Sequence, residues 1–297
     1  MYGLSDLTTA LSSPNMVLTE LNRLYYGRLH SRQYNDNGIN IFDEEWDNLL
    51  ILDACRFDAF ENCLATSGLD GTLEHRQSRG SATREWVRGN FMNSQHRDTV
   101  YVDSNGYYAR LQDDINAEVY KYILVENDEF DGISVHPDAV TERAIEAADR
   151  YPNKRLLVHY LQPHHPFFGP AGDGIEYSGN FRNTVHDNGL DDDLLWEAYT
   201  ENLDLVLESI QQFLAETDGK TVISSDHGEL IGPVDSPTLT RYYGHPSELY
   251  IDPLVKVPWF VIDGNRRRIV AEQPEADQRS IDQEEVDEKL EKLGYKL

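Results

Sequence analysis

At 297 residues the chain is long enough to bury a sizeable core, and its 53 acidic against 26 basic residues leave a net charge of -27. Coulomb repulsion at that charge opposes strong non-specific binding to nucleic acid or to an anionic membrane surface, so neither partner is expected. Acidity is spread along the chain and most of the basic residues are Arg rather than Lys, the pattern of a surface adapted to high salt. Two cysteines, Cys55 and Cys63, do not suggest a disulfide framework. The first thirty residues lack the basic start, apolar stretch and cleavage site of a signal peptide, and no apolar run approaches the ~20 residues needed to span a bilayer. A soluble cytoplasmic protein without stable membrane insertion is the expectation.

Met16, Leu18, Leu21, Leu24 and Tyr25 recur at helical spacing and predict an opening amphipathic helix over 14–30. The run Leu49 to Leu52 is continuously apolar and ends on Asp53, which reads as a strand buried on both faces. The same pattern recurs in DTVYVDSNGYYARL, NKRLLVHYLQPHHPF and KTVISSDHGE, and more loosely in VKVPWFVIDG. Helical stretches at 137–150 and 192–216 lie between these strands, and such alternation predicts a mostly parallel sheet covered on both faces. Gly169 to Asp191 is rich in Gly, Asn and Asp without a clear period and is expected to be a long surface loop near the site. The charged C-terminus ends in apolar residues at helical spacing, predicting a docked helix over 283–295. With no internal repeat and no linker, one domain over 1–297 is expected.

Parallel sheets hold ligands at the carboxyl ends of their strands. Here three strand ends carry Asp53, then His159 with His164 and His165, then Asp226-His227. Asp supplies hard oxygen and His borderline nitrogen, a donor set suited to a divalent metal, Zn2+ or Mn2+ first, with Ca2+ and Mg2+ as further candidates. Taken alone, an Asp at a strand end is more often a helix cap or a surface group. Asp-His-Gly after one strand together with Asp after an upstream strand is far harder to obtain as decoration.

At these residues the sequence resembles the alkaline phosphatase and sulfatase superfamily. LILDACRFD looks like its first metal-binding strand and TVISSDHGELIG like its second, while HYLQPHHPFFGP and YYGHPSELYIDPLVKVPWFVI follow in the family's order. The resemblance implies an α/β fold, an alkaline phosphatase-like three-layer α/β/α sandwich with a mostly parallel central sheet. It implies Asp53, Asp226 and His227 as metal ligands, and His245 as either a second-metal ligand or a contact to the transferred group. His164, with His165 as the alternative, matches the substrate-contacting His-Pro segment, and His164 or His245 would protonate the leaving oxygen.

A hydroxyl deprotonated on a metal ion attacks a phosphoryl or sulfuryl centre at neutral pH, so a metal-bound nucleophile is expected in RQSRGSATREWVRGN. Thr83 stands where a helix starts and resembles the family's nucleophile position, with Ser81 as the alternative. Either residue also reads as an N-cap with Glu85 in the first turn. Arg79 and Arg84 would pair with substrate oxygens and Arg56 would brace Asp53. His159 reads as a structural histidine, and His75, His96, His136 and His186 as surface residues.

The Cys-x-Pro-x-Arg pattern of formylglycine sulfatases is absent, as is the second-site Asp-x-x-x-His of two-zinc members. The implied function is a metal-dependent hydrolase or transferase acting on phosphate or sulfate esters through a Thr or Ser nucleophile. Its substrate would be a small-molecule, glycan or lipid ester. The alternative is a non-catalytic metal-binding member with a regulatory or structural role. A phosphosugar mutase ranks last, for want of a large inserted domain. Oligomeric state is open.

Overall fold

The computed structural model describes residues 33–126, 133–177, 180–236, 239–274 and 283–292. The helix expected over 14–30 and the last residues of the one expected over 283–295 lie outside that set. Nine strands are described: β1 Asn48–Leu52, β2 Thr72–Gln77, β3 Gln95–Asp103, β4 Glu118–Leu124, β5 Arg155–Tyr160, β6 Thr221–Ser225, β7 Leu230–Ser236, β8 Leu239–Gly244 and β9 Lys256–Ile262. Between and after them run helices α1 Phe57–Ser67, α2 Thr83–Phe91, α3 Tyr107–Leu111, α4 Pro137–Arg150, α5 Phe181–Asn188, α6 Asp192–Glu216, α7 Asp252–Val255 and α8 Gln283–Lys292.

The central sheet has seven strands in the order β2-β9-β6-β1-β5-β3-β4. β1 pairs parallel with β5 and β6, β3 pairs parallel with β4 and β5, and β9 alone runs antiparallel, between β2 and β6. β1 is buried at every position because both faces are covered. Alternate side chains point to opposite faces. Leu50 and Leu52 join Val100, Val102, Val158 and Phe260 beneath α1, α4 and α6, whereas Leu49 and Ile51 join Tyr101, Leu157 and Trp259 beneath α2, α3 and α8. Each fully buried Leu contributes ~1.5–3 kcal/mol. Two apolar faces on one sheet therefore produce the three-layer sandwich and the mostly parallel sheet expected from the alternating pattern.

α4 and α6 span 137–150 and 192–216 as the periodicity predicts. Asp191 caps α6 by accepting a hydrogen bond from the Leu194 N–H. The region from Gly169 to Asp191 differs from the expected loop: a 3-10 turn at Pro170–Gly172 and the eight-residue α5 lie within it. α5 is capped by Asn180 and stopped by Gly189 at φ 62°, and it buries Phe181, Thr184 and Val185. Two turns carry too few apolar residues to show a period, so the caps are its signal in the sequence. Of the remaining histidines, His75 and His186 are exposed, His136 caps α4, and His96 is half-buried against the Phe42 ring.

The turn after β6 answers why Gly follows Asp226-His227. A Cβ at Gly228 would lie 2.1 Å from the Pro253 carbonyl oxygen, and the Gly228 N–H donates to Leu254 O at 2.8 Å. The contact is backbone on backbone, so neither side yields cheaply. Gly228→Ala is expected to lower unfolding free energy by ~1–3 kcal/mol in urea titrations, through overpacking, and to reduce metal affinity by displacing His227.

Candidate metal centre and its flanking hydroxyl

Asp53 follows β1, and Asp226 and His227 follow the neighbouring β6, so parallel register brings them together at one end of the sheet. All three are fully buried. Ala54, next to Asp53, is held at φ 59°, a left-handed conformation that costs an Ala roughly 1–2 kcal/mol. In that conformation its N–H donates to Asp226 Oδ1 at 3.1 Å, while its carbonyl accepts from the Tyr199 hydroxyl at 2.8 Å.

Hydrogen bonds decide which atoms remain to hold a ligand. Asp226 Oδ1 also accepts from the His227 N–H at 2.8 Å, and Asp53 Oδ2 accepts from Asn105 Nδ2 at 2.6 Å. Asp226 Oδ2 and Asp53 Oδ1 are left buried with no hydrogen-bond partner. His227 Nδ1 lies 2.8 Å from the Gly228 carbonyl and so carries the proton, which leaves the lone pair on Nε2. That Nε2 lies 3.3 Å from Asp226 Oδ2 and 3.6 Å from Asp53 Oδ1. Three electron-pair donors thus converge, two of them carboxylate oxygens without a hydrogen-bond partner, and a divalent cation fits this donor set.

Electrostatics agree with that fit. Burial and the Asp226 charge push the Asp53 carboxyl well up, and burial pushes the His227 imidazole down to about 4. Burial acts upward on Asp226 too, but His227 and His159 beside it carry the carboxyl below its ordinary value. The imidazole is therefore in its neutral form at neutral pH, the form that ligates a metal.

Thr83 is the first residue of α2 and fully buried, and its hydroxyl lies 3.2 Å from His227 Nε2, to which it donates. Ser81 faces elsewhere: its N–H and hydroxyl meet Glu85 Oε2 at 2.9 and 3.0 Å, and its Oγ also contacts the Pro246 carbonyl. The N-cap position of α2 is Ala82, without a side-chain cap.

Beside this centre stands a second group of donors, His164, Glu229 and His245. His245 Nδ1 donates to the Glu229 carboxylate at 3.1 Å, and its ring centroid is 4.3 Å from that of His227. Burial pushes Glu229 up to about 7, and His164 and His245 down to about 3 and about 4. His165 stacks instead on Phe181 and Tyr177, and burial holds it well below its usual value.

The arginines divide. Arg56 makes a bidentate pair with Asp58 and reaches the Glu229 carbonyl at 3.3 Å, rather than Asp53. Arg79 is taken up by the carbonyls of Gly38 and Gly89 and by the Tyr34 ring. Arg84 is exposed on α2 and makes no ion pair among the described residues.

Asn105 and Glu229 were not singled out from the sequence, and His159 was named at its strand end with a structural reading. Asn105, in the turn after β3, holds Asp53, and its amide orientation is set because Oδ1 accepts from the Tyr107 N–H at 3.1 Å. That turn is anchored by Asp103, which accepts from the N–H groups of Asn105 and Gly106 and from the Tyr122 hydroxyl. His159, read as structural, points Nε2 at Asp53 Oδ2 and Asp226 Oδ2, 3.9 and 3.8 Å away, and meets the Tyr101 hydroxyl through Nδ1. Glu229 directly follows Asp-His-Gly. The strand-end position of DSN and of Glu229 was the available signal. Asn105→Ala is expected to weaken metal binding by ~10–100-fold in a Co2+ or Zn2+ titration, because Asp53 loses the bond that orients it.

No family model matches the chain, and no curated protein matches it. Solved structures do resemble it. The C-terminal periplasmic domain of EcEptC from Escherichia coli, in complex with Zn, is 14% identical over 78% of this chain and 75% of that chain, with a TM-score of 0.49. A protein in the alkaline phosphatase superfamily from Vibrio parahaemolyticus is 11% identical over 88% and 71%, with a TM-score of 0.42. The lipoteichoic acid synthase LtaP from Listeria monocytogenes is 12% identical over 84% and 72%, with a TM-score of 0.43.

Proposed function

We propose that the chain is a metal-dependent transferase or hydrolase of phosphate or sulfate esters, with Thr83 as its nucleophile. The observation that carries this reading is the meeting of one buried hydroxyl with three metal-type donors, His227 Nε2 and the unpartnered Asp53 Oδ1 and Asp226 Oδ2. Those three residues would hold a divalent ion, Zn2+ or Mn2+ before Ca2+ or Mg2+. When bound, it would supply Lewis acidity toward a hydroxyl and toward an ester oxygen.

The chain's own residues perform the rest. The start of α2 places the Thr83 hydroxyl beside the donor cluster, and the free N–H groups of that helix end favour an oxyanion. The Thr83 Oγ–P (or S) bond forms as the ester O–P bond breaks, and the proton lost by Thr83 balances the proton gained by the leaving oxygen. His245, next to His227 and held by Glu229, is positioned to carry that proton, with His164 as the further carrier. Water or an acceptor hydroxyl then attacks the Thr83 ester and returns the free side chain. Cys55 stands in CRFDA, without the Cys-x-Pro-x-Arg pattern, which supports a hydroxyl mechanism over a formylglycine one.

The test is metal content by plasma mass spectrometry together with turnover of p-nitrophenyl phosphate, bis-p-nitrophenyl phosphate and p-nitrophenyl sulfate. Chelation is expected to abolish turnover and lower the melting temperature, with both restored by Zn2+ or Mn2+. A chelator that leaves both unchanged would exclude the reading.

A further inference from the structure

We propose that Asn202 of α6 is a positioning residue for the reaction: it holds the loop of His164 against the turn of Asp53 and so presents the His164 ring beside the donor cluster. The inference deepens the function proposed above and rests on it for the role of His164 as a proton carrier.

The loop needs outside donors for reasons set by its sequence. In Pro163-His164-His165-Pro166 the two prolines lack N–H groups, so the segment cannot satisfy its own carbonyls. Both histidines are nevertheless buried, and buried carbonyls without donors are costly. Asn202 supplies the donors. It is fully buried in α6, on a face otherwise lined by Leu195, Ala198 and Val206, where an amide is tolerated only when its hydrogen bonds are made. Its Oδ1 accepts from the Phe168 N–H at 2.8 Å, which fixes the amide orientation. Its Nδ2 then donates to the carbonyls of Pro166 at 3.1 Å and His164 at 3.2 Å, and more loosely to that of Pro163 at 3.4 Å.

These contacts fix the ring as well as the backbone. The His164 N–H donates to the Asp53 carbonyl at 3.2 Å, so His164 is gripped by the metal-site turn through its N–H and by Asn202 through its C=O. The His165 carbonyl lies between two carbonyls that Asn202 holds, and it accepts from His164 Nδ1 at 2.6 Å, which places the lone pair on Nε2. The His164 ring stands 5.2 Å from that of His245, centroid to centroid.

The same helix face also reaches the other half of the site. Three residues before Asn202, the buried Tyr199 hydroxyl donates to the Ala54 carbonyl at 2.8 Å and accepts from the Arg56 N–H at 2.9 Å. One helix therefore fixes both the turn that follows Asp53 and the loop that carries His164, and the spacing between metal donors and His164 is built into α6.

The experiment is a double-mutant cycle on metal-loaded protein, with wild type, Asn202→Ala, His164→Ala and the double variant, read as kcat/KM on phenyl phosphate and p-nitrophenyl phosphate. Phenoxide needs a proton to leave far more than p-nitrophenoxide does, so a displaced proton carrier is read as a loss concentrated on phenyl phosphate. Asn202→Ala is expected to lose about 10- to 100-fold on phenyl phosphate and several times less on p-nitrophenyl phosphate. Added to His164→Ala, it is expected to cost less than about threefold more. Losses that multiply across the cycle, or that are equal on the two esters, would overturn the proposal. Asn202→Ser keeps a hydroxyl donor and is expected to recover part of the loss, and it carries the cycle if Asn202→Ala fails to fold. If no ester is turned over, the proposed function fails, and Asn202 is read from the side-chain 15N spectrum of histidine-labelled protein. There His164 is expected as the Nδ1–H tautomer in the wild type and as a mixture of tautomers in Asn202→Ser; the same single tautomer in both proteins overturns the proposal.

Discussion

Asp226→Asn protein is expected to purify without stoichiometric metal and to lose ester turnover by about 10^3-fold or more, while its metal-free form is more stable than metal-free wild type. The opposite signs follow from the geometry. In the wild type Asp226 Oδ2 and Asp53 Oδ1 are both buried acceptors near His227 Nε2, whose lone pair the Thr83 hydroxyl already meets, so without a cation two carboxylate oxygens are left without a donor. An amide at position 226 keeps an oxygen for the N–H groups of Ala54 and His227 and places an NH2 group opposite His227 Nε2. One acceptor without a donor is exchanged for one hydrogen bond, worth about 1–2 kcal/mol in the metal-free protein. With metal the order reverses, because the wild type gains ~4 kcal/mol at a thousand-fold excess over Kd and the variant does not. Melting temperatures of both proteins, in chelator and in Zn2+, check this. A metal-free variant less stable than metal-free wild type would show that the two carboxylates are reconciled by something other than a cation.

The second large effect separates Thr83 from Ser81. Thr83→Ala is expected to lower turnover by about 10^3- to 10^4-fold with little change in metal content, and Thr83→Ser to retain measurable activity, since only the hydroxyl beside His227 is required. Ser81→Ala is expected to leave turnover within a few-fold but to cost roughly 1–2 kcal/mol in stability. It removes the hydroxyl that meets the buried Glu85 carboxylate, whose charge burial already disfavours. The pair of measurements, turnover and urea midpoint, assigns each residue by which quantity moves. Loss of turnover in Ser81→Ala with Thr83→Ala unaffected would reverse the roles.

Much of the molecule is legible in the chain itself because it depends on local pattern. The run from Leu49 to Leu52 is apolar throughout, so it had to lie between two covered faces, and the periodic stretches 137–150 and 192–216 had to be helices. Asp53 and Asp226-His227 were readable as candidates because each terminates such a strand, and ligands gather at strand ends in parallel sheets. The eight-residue α5, the hairpin of β7 and β8, and the edge strands β2 and β4 were not, since short elements carry too few buried residues to show a period.

Other features exist only in three dimensions. Nothing in the order of residues says that Asn105 meets Asp53, 52 positions away, or that Glu229 turns its carboxylate to His245. Strand register and turn geometry decide those contacts. The same holds for hydroxyls and guanidiniums: Ser81 and Thr83 differ by two positions and Arg79 and Arg84 by five, yet the start of α2 turns Thr83 to the metal donors and Ser81 to Glu85. It leaves Arg84 exposed while backbone carbonyls take up Arg79. The sequence by itself determined the layered α/β sandwich and which strand ends carry metal-type donors, because hydrophobic period and residue type are local properties. Which lone pairs face each other, which hydroxyl joins them and which charges stay unneutralised were decided by tertiary structure alone, because hydrogen bonds between distant segments select one atom of each side chain and leave the other.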